Sequence, residues 1–259
     1  DATSLSDAGT VLLAVPTQSL RNFLVDHGTN LAGKTCVLCC KGIEKGTGLL
    51  PSQIVAECVP EASVAVLTGP GFAGEIARGL PTALTLATTD PNAERLQALL
   101  STKTLRLYLS NDPTGAQLGG ALKNVIAIAC GIAIGAGLGE SARAALMTRG
   151  YAEMMRLAVD MGANPATLSG LSGLGDLALT CTSLQSRNYS LGHDLGTGGQ
   201  MLGGTTFEGV ATARATLTLA EPRGVDMPIA RIVTAVLEHA LTIGEAVEAL
   251  LSRPLKSEH

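Results

Sequence analysis

The sequence predicts an α/β protein in two parts: a parallel sheet interleaved with helices over residues 1–110, then an all-helical domain over residues 111–259. Three observations lead there. Short β-type apolar runs alternate with helical stretches through the first half, and long segments rich in Ala, Leu, Ile and Met fill the second half. Between them Ser-Asn-Asp-Pro at 110–113 marks a turn. With 46% apolar and 15% charged residues in 259, the chain can bury a sizeable core, and wholesale disorder is excluded.

Taken in order, TVLLAVP at 10–16 is the first strand signal and ends in Pro16, followed by a helical stretch from Thr17 to Val25. TCVLCC at 35–40 repeats the strand signal and ends in the turn Lys41-Gly42. A helix over Leu49–Glu57, a strand SVAVLT at 63–68, the segment GPGF at 69–72, a helical AGEIARG and a β-type TALTLAT at 82–88 complete the series. Such βαβ periodicity makes parallel sheets with right-handed crossovers. Ligands meet these sheets at the strands' carboxyl ends, where Pro16, Lys41 and Gly69 fall. No GxGxxG turn opens the series, so these strands read as the latter part of a Rossmann-type domain whose first βαβ unit is absent.

Helical periodicity then covers 115–135, 141–161, 208–221 and 228–251, and the stretch 192–204 reads as a glycine-rich loop. Composition narrows the function. A net charge of -4 and six aromatic residues exclude a polyanion-attracting field and base-stacking platforms, so no nucleic-acid partner is expected. Apolar stretches such as Val125–Ala136 are interrupted by glycine and fall short of the ~20 residues of a membrane span. The six scattered cysteines (Cys36, Cys39, Cys40, Cys58, Cys130 and Cys181) suit a reduced, cytoplasmic protein, and Cys36-x-x-Cys39 lacks the second ligand pair of a zinc site. The four histidines show no ligand spacing, so no metal is expected.

Five segments could carry chemistry. Lys41 puts an ammonium at a strand's carboxyl end, as a site residue or as a solvated turn lysine. In GAQLGGALKN at 115–124, glycines inside an apolar helix cost about 0.5–1 kcal/mol each relative to Ala, which implies something packed against the backbone. Lys123 emerges there from apolar surroundings. Burial and a second cation would lower its pKa, as a proton donor to a developing alkoxide requires; the plain alternative is a snorkelling lysine. In GLSGLGDLALTC at 170–181, Asp176 is a lone acid that needs a cationic partner, with Lys123 and Arg187 as candidates. Ser186-Arg187-Asn188 is either a donor cluster for phosphate oxygens or a polar helix start capped by Ser186. GPGFAGE offers backbone N–H groups to an anion, a weak signal.

Together, VPTQ at 15–18, KGIEKGTG at 41–48, LTGPGFAGEIARGLPTA at 67–83, GGALKNVIAIACG at 119–131, ARAALMTRGYAEM at 142–154, GLSGLGDLALTCTSLQSRN at 170–188 and EGVATA at 208–213 closely resemble the bacterial NAD(P)-dependent glycerol-3-phosphate dehydrogenases. The resemblance implies reduction of glycerone phosphate to sn-glycerol 3-phosphate by a nicotinamide, supplying the glycerophospholipid backbone. It implies Lys123 as acid/base at the C2 oxygen, Lys41 in contact with substrate and cofactor, and Asp176 beside the substrate orienting Lys123. It assigns Gly69, Gly71, Asn124, Thr180, Ser186, Arg187 and Asn188 to the substrate, including its phosphate. Ala73, Arg187 and Glu208, together with Lys41, fall to the cofactor, NAD or NADP with NADPH favoured. A homodimer is also implied.

The chain departs from the family's pattern at three places. Gly71 stands where most members carry a hydroxyl residue, the stretch between Asn188 and Glu208 is short, and the pyrophosphate turn is absent from the start. Two rival readings are a non-catalytic fragment and a β-hydroxyacid dehydrogenase. The latter usually places its lysine some residues before its asparagine, whereas Lys123 and Asn124 are adjacent here.

Overall fold

A computed structural model describes residues 5, 7–199 and 207–252. Five strands, β1 (Thr10–Leu13), β2 (Thr35–Leu38), β3 (Ser63–Thr68), β4 (Thr82–Ala87) and β5 (Leu105–Ser110), pair in sequence order. Helices α1 (Thr17–His27), α2 (Pro51–Cys58), α3 (Ala73–Ala77) and α4 (Ala93–Leu100) connect them. Side chains alternate across the pleat: Cys36, Leu38 and Val66 pack with Leu20 and Leu24 of α1 and Ile54 and Val55 of α2, while Val37, Ala65 and Leu107 pack with Leu96 of α4. Both faces are therefore covered, as a sheet of mainly parallel strands requires.

The α/β class is as expected, with one difference in pairing. β1–β2, β2–β3 and β4–β5 are parallel, but β3–β4 is antiparallel, with Val66 opposite Ala87 and Thr68 opposite Thr85. The reason is the link. α3 has only five residues, about 7 Å of helix, and cannot carry the chain back along the strand, so β4 returns directly beside β3. β5, which the sequence pattern did not reveal, consequently runs opposite to β1–β3 and finishes at the end of the sheet where those strands begin.

That reversal sets the path of α5 (Pro113–Gly135), whose 23 residues span about 34 Å. Pro113 occupies its first turn, and Asp112 caps it by accepting from Gly115 N at 2.8 Å. α5 is apolar and long enough to cross a membrane, contrary to the expectation that no stretch qualifies. Yet 89% of its most apolar window is buried inside the protein, which makes it a core helix.

Around α5 lie α6 (Glu140–Asp160), α7 (Pro165–Ser169), a π-helical turn at Leu171–Gly175, α8 (Asp176–Thr180), α9 (Arg187–Gly196), α10 (Glu208–Ala220), α11 (Pro228–Leu237) and α12 (Ile243–Leu251). The expected loop at 192–204 is wrong at its start, because α9 runs through Gly196; residues 200–206 lie outside the described residues. Gly192 and Gly196 are packing glycines. A Cβ on Gly131 of α5 would overlap the carbonyl oxygen of Tyr189, and one on Gly192 that of Ile128. Two helices meet backbone to backbone, and closeness outweighs the glycines' low helix propensity. The single periodic segment expected over 228–251 is broken at His239, whose φ is 57°, and Thr242 and Glu245 form the capping box that restarts it as α12.

Candidate active site

The carboxyl ends of β2 and β3 and the middle of α5 converge on one carboxylate. Cys39 N still donates to Leu13 O at 2.9 Å, and then the chain leaves the sheet and delivers Lys41. Its Nζ lies 2.7 Å from Asp176 Oδ2 and 3.3 Å from Gly69 O. Gly69 has φ 143° and would bring a Cβ to 3.2 Å from Leu84 Cα, so this corner requires glycine. On α5, a Cβ at Gly119 would overlap Ser172 O, and one at Gly120 would come within 2.8 Å of Thr68 Oγ1. These glycines let α5 press against both the end of β3 and the π-helical turn.

One turn further, Lys123 Nζ lies 2.6 Å from Asp176 Oδ1 and 2.6 Å from Thr180 Oγ1. The Thr180 hydroxyl donates to Asp176 O at 2.6 Å, which leaves its oxygen to accept from the lysine. Asp176 is 1% exposed and Lys123 6%. Of the two candidate partners of Asp176, Lys123 is the one that reaches it and Arg187 does not; Lys41 is the second cation.

One negative charge between two ammoniums leaves the cluster net positive in a desolvated place. That condition lowers the pKa of Lys123 to about 8: burial is the largest cause, the Lys41 ammonium the second, and Asp176 opposes both. The neighbouring thiols are not nucleophiles. Burial above all, with the Glu208 carboxylate second, pushes Cys40 up to about 12, and Cys181 is raised by its contact with Cys130 and by burial.

Other expected site residues divide. Asn124 Nδ2 reaches Lys41 O and Gly120 O at 3.4 Å each, tying α5 to the strand-end turn. Ser186 is buried and caps α9, accepting from Tyr189 N at 3.2 Å, so its hydroxyl does structural work. Asn188 Oδ1 accepts from Gly209 N at 3.1 Å. Arg187 is exposed at the start of α9, with no hydrogen bond or ion pair among the described residues. Glu208 Oε1 accepts from Thr17 N at 2.9 Å, while its Oε2 is buried and without a hydrogen bond. Burial raises the pKa of this carboxyl, against the Thr17 amide and the Arg187 charge. Gly71 lies where a Cβ would meet Thr82 Cγ2 at 2.9 Å, and Ala73 is exposed at the start of α3.

Sequence reasoning missed Thr17, the Glu208 partner, because a main-chain amide leaves no compositional trace. It also missed Glu153. This buried carboxylate of α6 accepts from Ile229 N at 2.8 Å and Ala230 N at 3.3 Å at the start of α11, and burial pushes its pKa up to about 7. Its only signal was an acid inside an apolar helical run. No group of three or more His, Cys, Asp or Glu side chains comes together among the described residues.

Comparison with known proteins decides the family. Residues 2–94 match the model for the NAD-dependent glycerol-3-phosphate dehydrogenase N-terminus and residues 112–248 the model for its C-terminus. The chain belongs to the NAD-dependent glycerol-3-phosphate dehydrogenase family. Among curated members, glycerol-3-phosphate dehydrogenase [NAD(P)+] of Cereibacter sphaeroides is 61% identical over 97% of this chain and 83% of its own length. That of Ruegeria sp. is 58% identical over 100% and 81%. The solved glycerol-3-phosphate dehydrogenase of Coxiella burnetii superposes with a TM-score of 0.91 at 35% identity, covering 97% of this chain and 79% of that one. As a glycerol-3-phosphate dehydrogenase family member the chain is an NAD(P)-dependent oxidoreductase.

Proposed function

We propose that this site reduces glycerone phosphate to sn-glycerol 3-phosphate, supplying the glycerophospholipid backbone, with Lys123 as the acid/base and Lys41 as the second cation at the C2 oxygen. The observation that carries the reading is the sharing of one buried carboxylate, Asp176, by two ammoniums. A ketone oxygen gains negative charge as it is reduced, and preorganised positive charge in a water-poor site stabilises that change without reorganisation. Lys123, at about 8, can both donate and recover a proton near neutrality. Asp176 and Thr180 hold its Nζ in place.

The residues fit a nicotinamide cofactor: the unpartnered, buried Oε2 of Glu208 suits an amide donor, and it lies beside the turn that carries Lys41. We assign Lys41, Ala73, Arg187 and Glu208 to the cofactor. When bound, the nicotinamide supplies the hydride. NADPH is the expected form. Gly69, Gly71, Asn124 and Thr180 line the substrate side, and Arg187, free of protein partners among the described residues, takes the phosphate with Ser186 and Asn188 beside it. Residues 1–110 serve as the dinucleotide-binding domain and 111–259 as the substrate domain. Six free thiols support a reducing, cytoplasmic location, and a homodimer is the assembly we expect, which sedimentation checks.

Turnover tests the reading. Glycerone phosphate is expected to be reduced with an efficiency about 10³-fold or more above that of unphosphorylated dihydroxyacetone or an unphosphorylated 3-oxo acid, because a site built for a phosphate is left with an unpaired cation by the analogue. Equal efficiencies would defeat it.

A further inference from the structure

Lys41 is held by more than its own contacts. The turn that follows it is gripped residue by residue from one face of α1. A Cβ on Gly42 would come within 2.6 Å of Glu208 Oε2 and 2.8 Å of Thr17 Oγ1, so this point touches the start of α1. Gln18 donates from Nε2 to Ile43 O at 2.8 Å and accepts from Lys45 N at 3.0 Å, closing a two-point amide clamp on the main chain. Arg21, one turn further along α1, forks onto both oxygens of Glu44, Nε to Oε1 at 2.8 Å and Nη2 to Oε2 at 2.9 Å. Glu44 is 8% exposed and also accepts from Thr47 Oγ1 at 2.5 Å. Its N–H donates to Leu49 O, and its C=O accepts from Gly48 N, so residues 44–49 close into a loop. Ile43, between the two clamps, is fully buried.

A turn lysine has four rotatable side-chain bonds, and ordering it costs conformational entropy that its own two hydrogen bonds must offset. A planar guanidinium fork and a bidentate carboxamide fix a backbone segment far better than single contacts do. Resting on the roles proposed above for Lys41 and Lys123, we propose that Gln18 and Arg21, acting through Ile43, Lys45 and Glu44, are positioning residues that set the Lys41 ammonium against Asp176 for catalysis. Neither touches substrate or the reacting atoms.

The groups around Lys123 are Lys41 from the turn, Asp176 and Thr180 of α8, and Cys181 just beyond it. Of these, Lys41 is the one whose position the clamp controls. Because its charge is the second cause of the lowered Lys123 pKa, loosening it has a signature that simple destabilisation lacks.

The experiment measures kcat, KM and the pH dependence of kcat/KM for glycerone phosphate in the purified enzyme, with melting temperatures, for Gln18→Ala, Arg21→Met and Arg21→Lys. Gln18→Ala and Arg21→Met are each expected to lower kcat about 10- to 100-fold and to move the pH limb near 8 upward by half a unit or more. Arg21→Lys keeps the charge but loses the fork and should fall between Arg21→Met and the parent. Lys41→Met should show the same upward movement, larger. An unchanged limb and kcat in the clamp variants, or a loss of kcat that follows melting temperature with the limb in place, overturns the positioning role. A limb that survives in Lys123→Met would instead show that the lysine assignment itself is wrong.

Discussion

Lys123 and Asp176, 53 residues apart in sequence, meet at 2.6 Å in a setting where the carboxylate is shared with a second ammonium 2.7 Å away on its other oxygen. The arrangement is asymmetric in a useful way. Lys41 is one-quarter exposed, whereas Lys123 is buried on a core helix, so the two cations differ in hydration although they serve the same acid. Burial without the pairing would be costly, and the pairing without burial would leave Lys123 near an ordinary lysine value.

The pH dependence of the reaction follows from Lys123. Ketone reduction needs the protonated amine, so kcat/KM for glycerone phosphate is expected to fall as pH rises through about 8, while oxidation of glycerol 3-phosphate rises over the same interval. Initial rates in both directions across roughly pH 6 to 10 check the opposite signs. Parallel curves would remove the acid/base role.

Glu153 governs a different pH effect. Its folded-state pKa, about 7, lies above the 4.5 of a free glutamate, so the folded protein holds a proton that the unfolded chain has released. Stability from this group is full below 4.5 and is lost as pH rises toward 7, by roughly 3 kcal/mol at about 1.4 kcal/mol per unit. Glu153→Gln should flatten that part of the stability curve. Urea unfolding at several pH values in parent and variant measures the difference, and identical slopes would contradict it.

The backbone contact of α5 with α9 is tested by glycine substitution. Gly131→Ala places a methyl against Tyr189 O and His193 N, which are backbone atoms that cannot turn aside, and should cost about 3 kcal/mol or more. Since α9 carries Arg187, the KM for glycerone phosphate should rise as well. Gly74→Ala in α3, where an added Cβ would meet nothing within 4 Å beyond its own helix, is expected to be neutral or slightly stabilising. Similar melting temperatures for the two variants would show that the helices are not in backbone contact.

Arg187 is the phosphate's expected partner. Arg187→Leu should raise the KM for glycerone phosphate by about 10²-fold or more while sparing the melting temperature, because the guanidinium is exposed and bonds to nothing else among the described residues. Steady-state kinetics and thermal unfolding of the same preparation separate the two effects.

How much of this could be read in the letters depends on the range of each interaction. Lys123 and Asp176 stood out because a lone charge in an apolar run demands an explanation, and Lys41 because it ends a strand. Between Lys123 and Arg187 the letters left the partner of Asp176 open, since no local pattern tells which of several cations reaches an acid many residues away; Lys123 is the one that does. The reversal at β4 left no periodic signal: antiparallel and parallel strands alternate alike, and only the short link at 69–81 hinted at it. The end of α9, from Gly192, looked like a loop because glycine disfavours isolated helices, whereas Gly192 and Gly196 are there to admit α5. The clamp of Gln18 and Arg21 on the turn 42–45 was equally silent, being made of ordinary surface residues that acquire meaning only once α1 lies beside the turn.

The central claim is that the buried amine of Lys123 moves the proton at the substrate oxygen. Single-turnover oxidation of bound NADPH by glycerone phosphate, measured in Lys123→Met together with its melting temperature and cofactor affinity, tests it most directly. The expected result is a loss of about 10³-fold or more in the hydride-transfer rate with the fold retained, because Asp176 keeps Lys41 as its partner. A rate within a few-fold of the parent enzyme would contradict it.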